Sequence, residues 1–147
     1  MDGAWLWLLA RNPEEREAEA DELLLALAAI TDSIDEFRAP VGGHIPQLQA
    51  RVTAAQRLGR TDIALEVLNW LGQAYFEAND YPCAIAASEE AQRLARLQDH
   101  LVIESIAIFN LSRTYEALGE DERAAAYKRQ YHHVTEKIVK RHWSRTA

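Results

Sequence analysis

The chain has 147 residues, with 48% hydrophobic and 27% charged side chains and a formal net charge of −7. That length fits one domain, the composition is that of an ordinary globular protein, and the excess of acid argues against a nucleic-acid binder, which is usually basic. With Cys83 as the one cysteine no internal disulfide forms, which fits a reducing cytoplasm, and no apolar run approaches the roughly 18 residues of a membrane span.

At the N-terminus, Ala4 to Ala10 is a short apolar block holding Trp5, Leu6, Trp7, Leu8 and Leu9. A secretory signal wants a basic flank, whereas Asp2 precedes this block and Glu14, Glu15 and Glu17 follow, so it reads as a packed helix. Asn12-Pro13 starts the first long helix: Asn caps, and Pro fits the first turn, where its missing N–H costs nothing. The acids behind it suit the positive end of the helix dipole. Leu23, Leu27, Ile30, Ile34 and Phe37 then recur at spacings of four and three, an apolar seam on one helical face. The helix should stop before Pro40, within Ala39-Pro40-Val41-Gly42-Gly43, the clearest break in the chain.

A second helix is expected over 46–58, with Leu48, Val52, Ala55 and Leu58 inward. Gly59 to Asp62 turns the chain, and Thr61 or Asp62 can cap a third helix over 62–78. Asn79-Asp80 turns it again, and Pro82 opens a fourth helix over 82–97. A short link, Gln98-Asp99-His100, leads to a fifth helix over 100–118 with Gly119 as its C-terminal stop. The sixth starts near Asp121, carries Ala124, Tyr127, Tyr131, Val134 and Ile138 inward, and reaches Trp143. No segment alternates with period two, so no strand is expected. The short connections predict antiparallel neighbours.

Charge is segregated along this series. Residues 14–36 hold nine acids against Arg16, a net of −8, whereas residues 128–145 hold six bases against Glu136, a net of +5.

The third and fifth helices are related. Leu71, Gly72, Tyr75 and Ala84 return forty residues later as Leu111, Ser112, Tyr115 and Ala124. A fixed internal period points to stacked helical hairpins. Leu68, Leu71, Gly72, Tyr75, Ala84 and Ala91, followed by Ile108, Leu111, Ser112, Tyr115 and Ala124, resemble the tetratricopeptide repeat (TPR) in its long variant of bacterial signalling and regulatory proteins. Small residues at 72 and 84 let two helices approach, and the tyrosines fill the gap beside them. The chain departs from that family in its period of forty against about 34, in Ser112 where the family has Gly, and in Ser88 and Lys128 where an aromatic is usual. The resemblance covers about 62–131. Residues 124–140 are also loosely similar to the last repeat of sensor modules that precede diguanylate-cyclase domains.

The resemblance implies an all-α, TPR-like right-handed superhelix of about three antiparallel hairpins. One domain would divide into a degenerate N-terminal repeat and cap (1–59), a repeat (62–98) and a repeat with a basic terminal helix (100–143). In that family the first helix of each pair lines a concave groove. Here the groove would present Glu66, Asn69, Trp70, Gln73, Phe76 and Glu77, then Ile106, Phe109, Asn110, Arg113 and Glu116. The Asn110 amide both donates and accepts, so it can grip a peptide main chain, and Arg113 can hold a carboxylate bidentately. The acids of the groove favour a protein or peptide partner with basic residues.

Other features carry less. Adjacent histidines point about 100° apart on a helix, so His132 and His133 do not chelate together, and His132 with Glu136 is too few ligands for a metal. Cys83 lies near a helix start, where a thiolate gains stability, yet a lone cysteine packed as a small apolar group is the commoner case. The basic last helix invites nucleic acid, but Tyr127 and Tyr131 read as core. No catalytic motif is present, and no enzyme activity, cofactor, metal, nucleic acid or membrane is expected. The expected function is a cytoplasmic protein–protein interaction module, an adaptor or regulatory subunit. The alternative is a sensor or oligomerisation module that self-associates through Trp5, Leu6, Leu9, Leu23, Leu27 and Ile30, as a homodimer, a two-fold contact being commoner than the head-to-tail one that the opposite charge of the two ends allows.

Overall fold

The computed structural model describes residues 13–35 and 45–146. Among these residues the chain is all-α, with six helices and no strand. They are α1 (Pro13–Asp35), α2 (Ile45–Arg57), α3 (Thr61–Glu77), α4 (Tyr81–Leu97), α5 (Leu101–Ala117) and α6 (Asp121–Thr146). Each packs on its neighbours in sequence, and α3 also meets α5. Links as short as these leave successive helices side by side and antiparallel. No described helix is long and apolar enough to cross a membrane.

A single device sets the rhythm. The links 58–60, 78–80, 98–100 and 118–120 recur at intervals of twenty residues. In each, the middle residue turns left-handed: Gly59, Asn79, Asp99 and Gly119 have φ of 66°, 59°, 53° and 73°. In each, the N–H after it reaches back five residues to close the helix, Arg60 to Ala55, Asp80 to Tyr75, His100 to Ala95 and Glu120 to Tyr115, at 2.8–2.9 Å. This double closure satisfies carbonyls that a helix end leaves open. It also fixes where the next helix begins. Thr61 is already helical and Arg60 stands at the cap position without a side-chain bond to the helix end, so neither Thr61 nor Asp62 caps α3. Side-chain caps appear instead on the next two helices: Asp80 accepts from the Cys83 N–H, and His100 Nδ1 accepts from the Ile103 N–H, both at 3.3 Å.

The core follows the expected faces in five of the six helices. Val52 and Ala55 are buried with Leu48 and Leu58 packed against them; Leu65, Leu68 and Leu71 continue the same cluster through Ala91 and Ala95. Ala124 and Val134 are buried on α6, with Tyr127, Tyr131 and Ile138 half-covered beside them. The exception is α1. Its buried face is Asp21 and Leu25, with Leu24 half-buried, whereas Leu23 and Leu27 point outward. Leu23 and Leu27, the part of the apolar seam read as a self-association surface, thus lie off the core face. The remaining seam side chains, Ile30, Ile34 and Phe37, lie outside what the structure describes, as do Trp5, Leu6 and Leu9.

At 26 residues, α6 is half as long again as the 17 of α5. Beyond Ile138 every described residue of α6 is exposed. One anchor holds this extension, Arg141 Nη2 donating to Asp99 Oδ1 at 2.8 Å in the link between α4 and α5.

Candidate functional site

Helix α5 is the most enclosed element: eleven of its seventeen residues are buried. A helix flanked by α4, α6 and α3 keeps only a narrow strip for solvent. Up to the last turn, where Glu116 and Ala117 are also exposed, that strip is Val102, Ile106, Phe109 and the half-buried Arg113, at spacings of four, three and four, which is one helical face. Its first three side chains are apolar and 52%, 39% and 46% exposed. Scattered exposed apolar residues are ordinary, but a continuous apolar strip on an otherwise enclosed helix has no role in the core.

Arg113 ends the strip. Its guanidinium lies 4.0 Å from the centroid of the Phe76 ring on α3 and 5.7 Å from that of Phe109 on α5. Both distances permit attraction between the cation and the ring faces. No ion pair takes its charge among the described residues, and its buried Nε finds no acceptor. A guanidinium held beside two rings has already lost much of the freedom that binding would remove, and it keeps a directional donor set.

The other groove candidates divide. Asn110 is buried at 4% exposure and its amide donates to Asn69 Oδ1 at 3.4 Å. Its amide ties α5 to α3 and is not open to a peptide, contrary to the role expected for it. Gln73 Nε2 donates to Glu77 Oε1 at 3.0 Å, one turn on along α3. Glu116 is neutralised by the Lys128 ammonium from α6. Glu66 is exposed. Trp70 is exposed but faces α2, where the Arg51 guanidinium stands 5.2 Å from its ring. Thus Asn69, Phe76, Phe109, Asn110 and Arg113 come together across α3 and α5, with Ile106 one turn before Phe109 and Asn110 on α5, whereas Trp70 and Glu116 are drawn toward α2 and α6. Val102 went unread in the sequence; its spacing to Ile106 was the available signal.

A second polar site lies between α4, α5 and α6. Arg96 Nε donates to Glu104 Oε1 at 2.8 Å, and Arg96 Nη2 and Gln92 Nε2 both donate to Gln130 Oε1 at 3.2 Å. This clasp joins three helices beneath a cleft rimmed by Arg129, His133 and Lys137. His132 and His133 are exposed, and no group of three or more metal-ligating side chains occurs among the described residues. Cys83 is half-buried. The Asp80 carboxylate raises its pKa above the ordinary thiol value, chiefly through a hydrogen bond that favours the protonated sulfur, then through burial and like charge. This cysteine is therefore no stabilised thiolate, although it lies in the first turn of α4.

No family model matches the chain, and no curated protein is significantly similar to it.

Proposed function

We propose that this protein is an interaction module, an adaptor or regulatory subunit, whose α3–α5 face binds a segment of another protein. The reading takes the hairpin stack as a TPR-like right-handed superhelix with α3 and α5 on its concave side. The observation that carries it is the strip of α5, where three exposed apolar side chains lead to a preorganised arginine that has no acidic partner among the described residues. A bound segment would lay apolar side chains on Val102, Ile106 and Phe109 and offer Arg113 a carbonyl or carboxylate oxygen. Glu66 and Glu77 flank this face and favour a lysine or arginine in the partner.

The test is capture of partners from cells of the source, comparing wild type with Ile106→Asp and Arg113→Gln. Burying a side chain such as isoleucine is worth about 1.5–3 kcal/mol, so Ile106→Asp should weaken binding by roughly ten- to hundredfold. A protein bound by wild type and lost from both folded variants supports the groove. Equal capture by all three removes it. Asn110, being buried, is the wrong probe.

The alternative, a self-associating oligomerisation or sensor module of a larger signalling protein, draws support from Leu23 and Leu27, both more than half exposed on α1.

A further inference from the structure

The two end helices of the described stack carry matching faces. On α1, Leu23 is 61% and Leu27 55% exposed, one turn apart. Beside them, at helical spacing, runs an exposed acidic edge of Glu15, Glu19 and Glu22. Glu22 answers Arg60, but Glu14, Glu15 and Glu17 make no ion pair with any described residue. On α6, Val139 and Trp143 are 53% and 67% exposed, again one turn apart. Beside them runs an exposed basic edge of Arg129, Lys137 and Lys140, none of which is ion-paired among the described residues. Each helix therefore pairs an apolar step with a charged edge, and the edges have opposite sign.

Their place in the fold adds to this. Every inner helix is covered by a neighbour on each side, whereas α1 packs on α2 and α6 on α5. The far side of α6 is where a further helix would pack if the stack continued.

We propose that α1 of a second copy takes that place, so that the protein associates head to tail, acidic α1 against basic α6. With the two helices parallel, the contact buries Leu23 and Leu27 of one copy against Val139 and Trp143 of the other and sets Glu15 near the level of Arg129 and Glu22 near that of Lys137 and Lys140. It rests on the reading of α1 as a self-association surface and supplies its counterpart, replacing a two-fold α1–α1 contact, which would set like charges together. A head-to-tail contact uses two different patches, so a pair still has one free head and one free tail, and assembly does not stop at two unless a ring closes. The groove on α3 and α5 is not part of it.

The experiment uses two variants of exposed positions in light scattering and sedimentation. Glu15→Lys/Leu23→Lys breaks the head; Lys140→Glu/Trp143→Glu breaks the tail. Circular dichroism checks that each keeps its helices. Wild type should grow in mass with concentration beyond two chains or to a closed ring. It should dissociate when salt rises from about 0.1 M to about 1 M, which shortens screening from about 10 Å to about 3 Å. Each variant alone should be a monomer. Mixed in equal amounts they should form a complex of two chains and no more, because one intact head and one intact tail remain. A tail variant that still dimerises while the head variant does not would overturn the head-to-tail contact and leave a two-fold α1 contact standing. Wild type that stays a monomer up to millimolar concentration overturns both.

Discussion

Gly72 on α3 and Ser88 on α4 meet at a single contact: a β-carbon on residue 72 would stand 2.5 Å from Ser88 Oγ. The next nearest atoms, the Ser88 N and the Ala84 carbonyl oxygen, are 3.5 and 3.6 Å away, ordinary contacts. The hydroxyl alone is thus what excludes a methyl group here, and that hydroxyl is buried without a hydrogen-bond partner. Replacing an exposed glycine inside a helix by alanine gains about 1 kcal/mol. Overpacking a tight contact costs about 1–3 kcal/mol, so Gly72→Ala should be destabilising by about 1 kcal/mol in the wild-type background. Ser88→Ala removes an unsatisfied buried hydroxyl and should be neutral or stabilising by up to about 1 kcal/mol. The double variant should then be at least as stable as wild type. Urea denaturation of the four proteins measures the coupling; additive effects would show that the hydroxyl is not the obstacle.

The rhythm of the fold was legible because its turns use residues with special backbone habits. Gly59, Asn79-Asp80, Asp99 and Gly119 lie where a sequence reading puts turns, and the structure gives each the same left-handed closure. The inward faces of α2 and α6 were legible because their polar residues leave only one apolar stripe. On α1 the buried face was not legible, for the opposite reason. Leu23, Leu24, Leu25 and Leu27 stand among alanines on nearly every side of the helix, so spacing cannot choose a face. Packing chose Leu25 and Asp21, the latter within 3.7 Å of Arg57. At the candidate site each residue was visible singly. The bracket of Phe76 and Phe109 around Arg113, and the burial of Asn110, arise from the approach of α3 to α5, which no local pattern encodes.

The four left-handed turn residues make an internal comparison. Non-glycine residues pay about 1–2 kcal/mol in that conformation, less for Asn and Asp, whereas glycine pays little. Gly119 has open space where a side chain would go, so Gly119→Ala should cost about 1 kcal/mol from the backbone alone. Asn79→Gly should stabilise slightly, since Asn79 loses only the hydrogen bond from the Tyr81 hydroxyl. Thermal melts would show Gly119→Ala lower and Asn79→Gly level or higher; the opposite order would contradict the closure mechanism.

Cys83 should label slowly at neutral pH. The Asp80 carboxylate holds its thiol above the free-cysteine value of about 8.5. Asp80→Asn keeps a side-chain oxygen to cap α4 while removing the charge. The midpoint of the iodoacetamide rate against pH should fall in that variant, with helicity unchanged. An unmoved midpoint would mean that Asp80 does not control the thiol.

The anchor of the α6 extension should titrate. The Arg141 guanidinium, by hydrogen bonding first and by charge second, with Lys137 adding charge, holds the Asp99 carboxyl below its ordinary value. A carboxyl with a lowered folded pKa contributes stability that is present above its unfolded value, about 3.9, and is lost as pH falls through the lower folded one. Arg141→Gln should therefore lower stability at neutral pH, with the difference from wild type closing in strong acid. Both groups are exposed, so the effect is small and is best followed as the Asp99 carboxyl shift by NMR, which should move upward in the variant.

Asn110 and Arg113 should separate in their effects although they lie one turn apart. Asn110→Ala strands the half-buried Asn69 carbonyl and leaves a small void between α3 and α5. An unsatisfied buried polar group costs about 1–3 kcal/mol, so this change should lower the urea midpoint clearly. Arg113→Gln gives up ring contacts, each worth about 0.5–1 kcal/mol where solvent has access, and removes a buried Nε that has no acceptor, so its net cost should be smaller. If the guanidinium is held ready for a partner, partner binding should fall in Arg113→Gln with little loss of stability. In Asn110→Ala binding should fall only as the fold loosens, and it should recover when the protein is cooled toward its temperature of maximum stability. Equal stability losses in the two variants would place Arg113 among the structural residues and leave the apolar strip of α5 as the binding surface by itself.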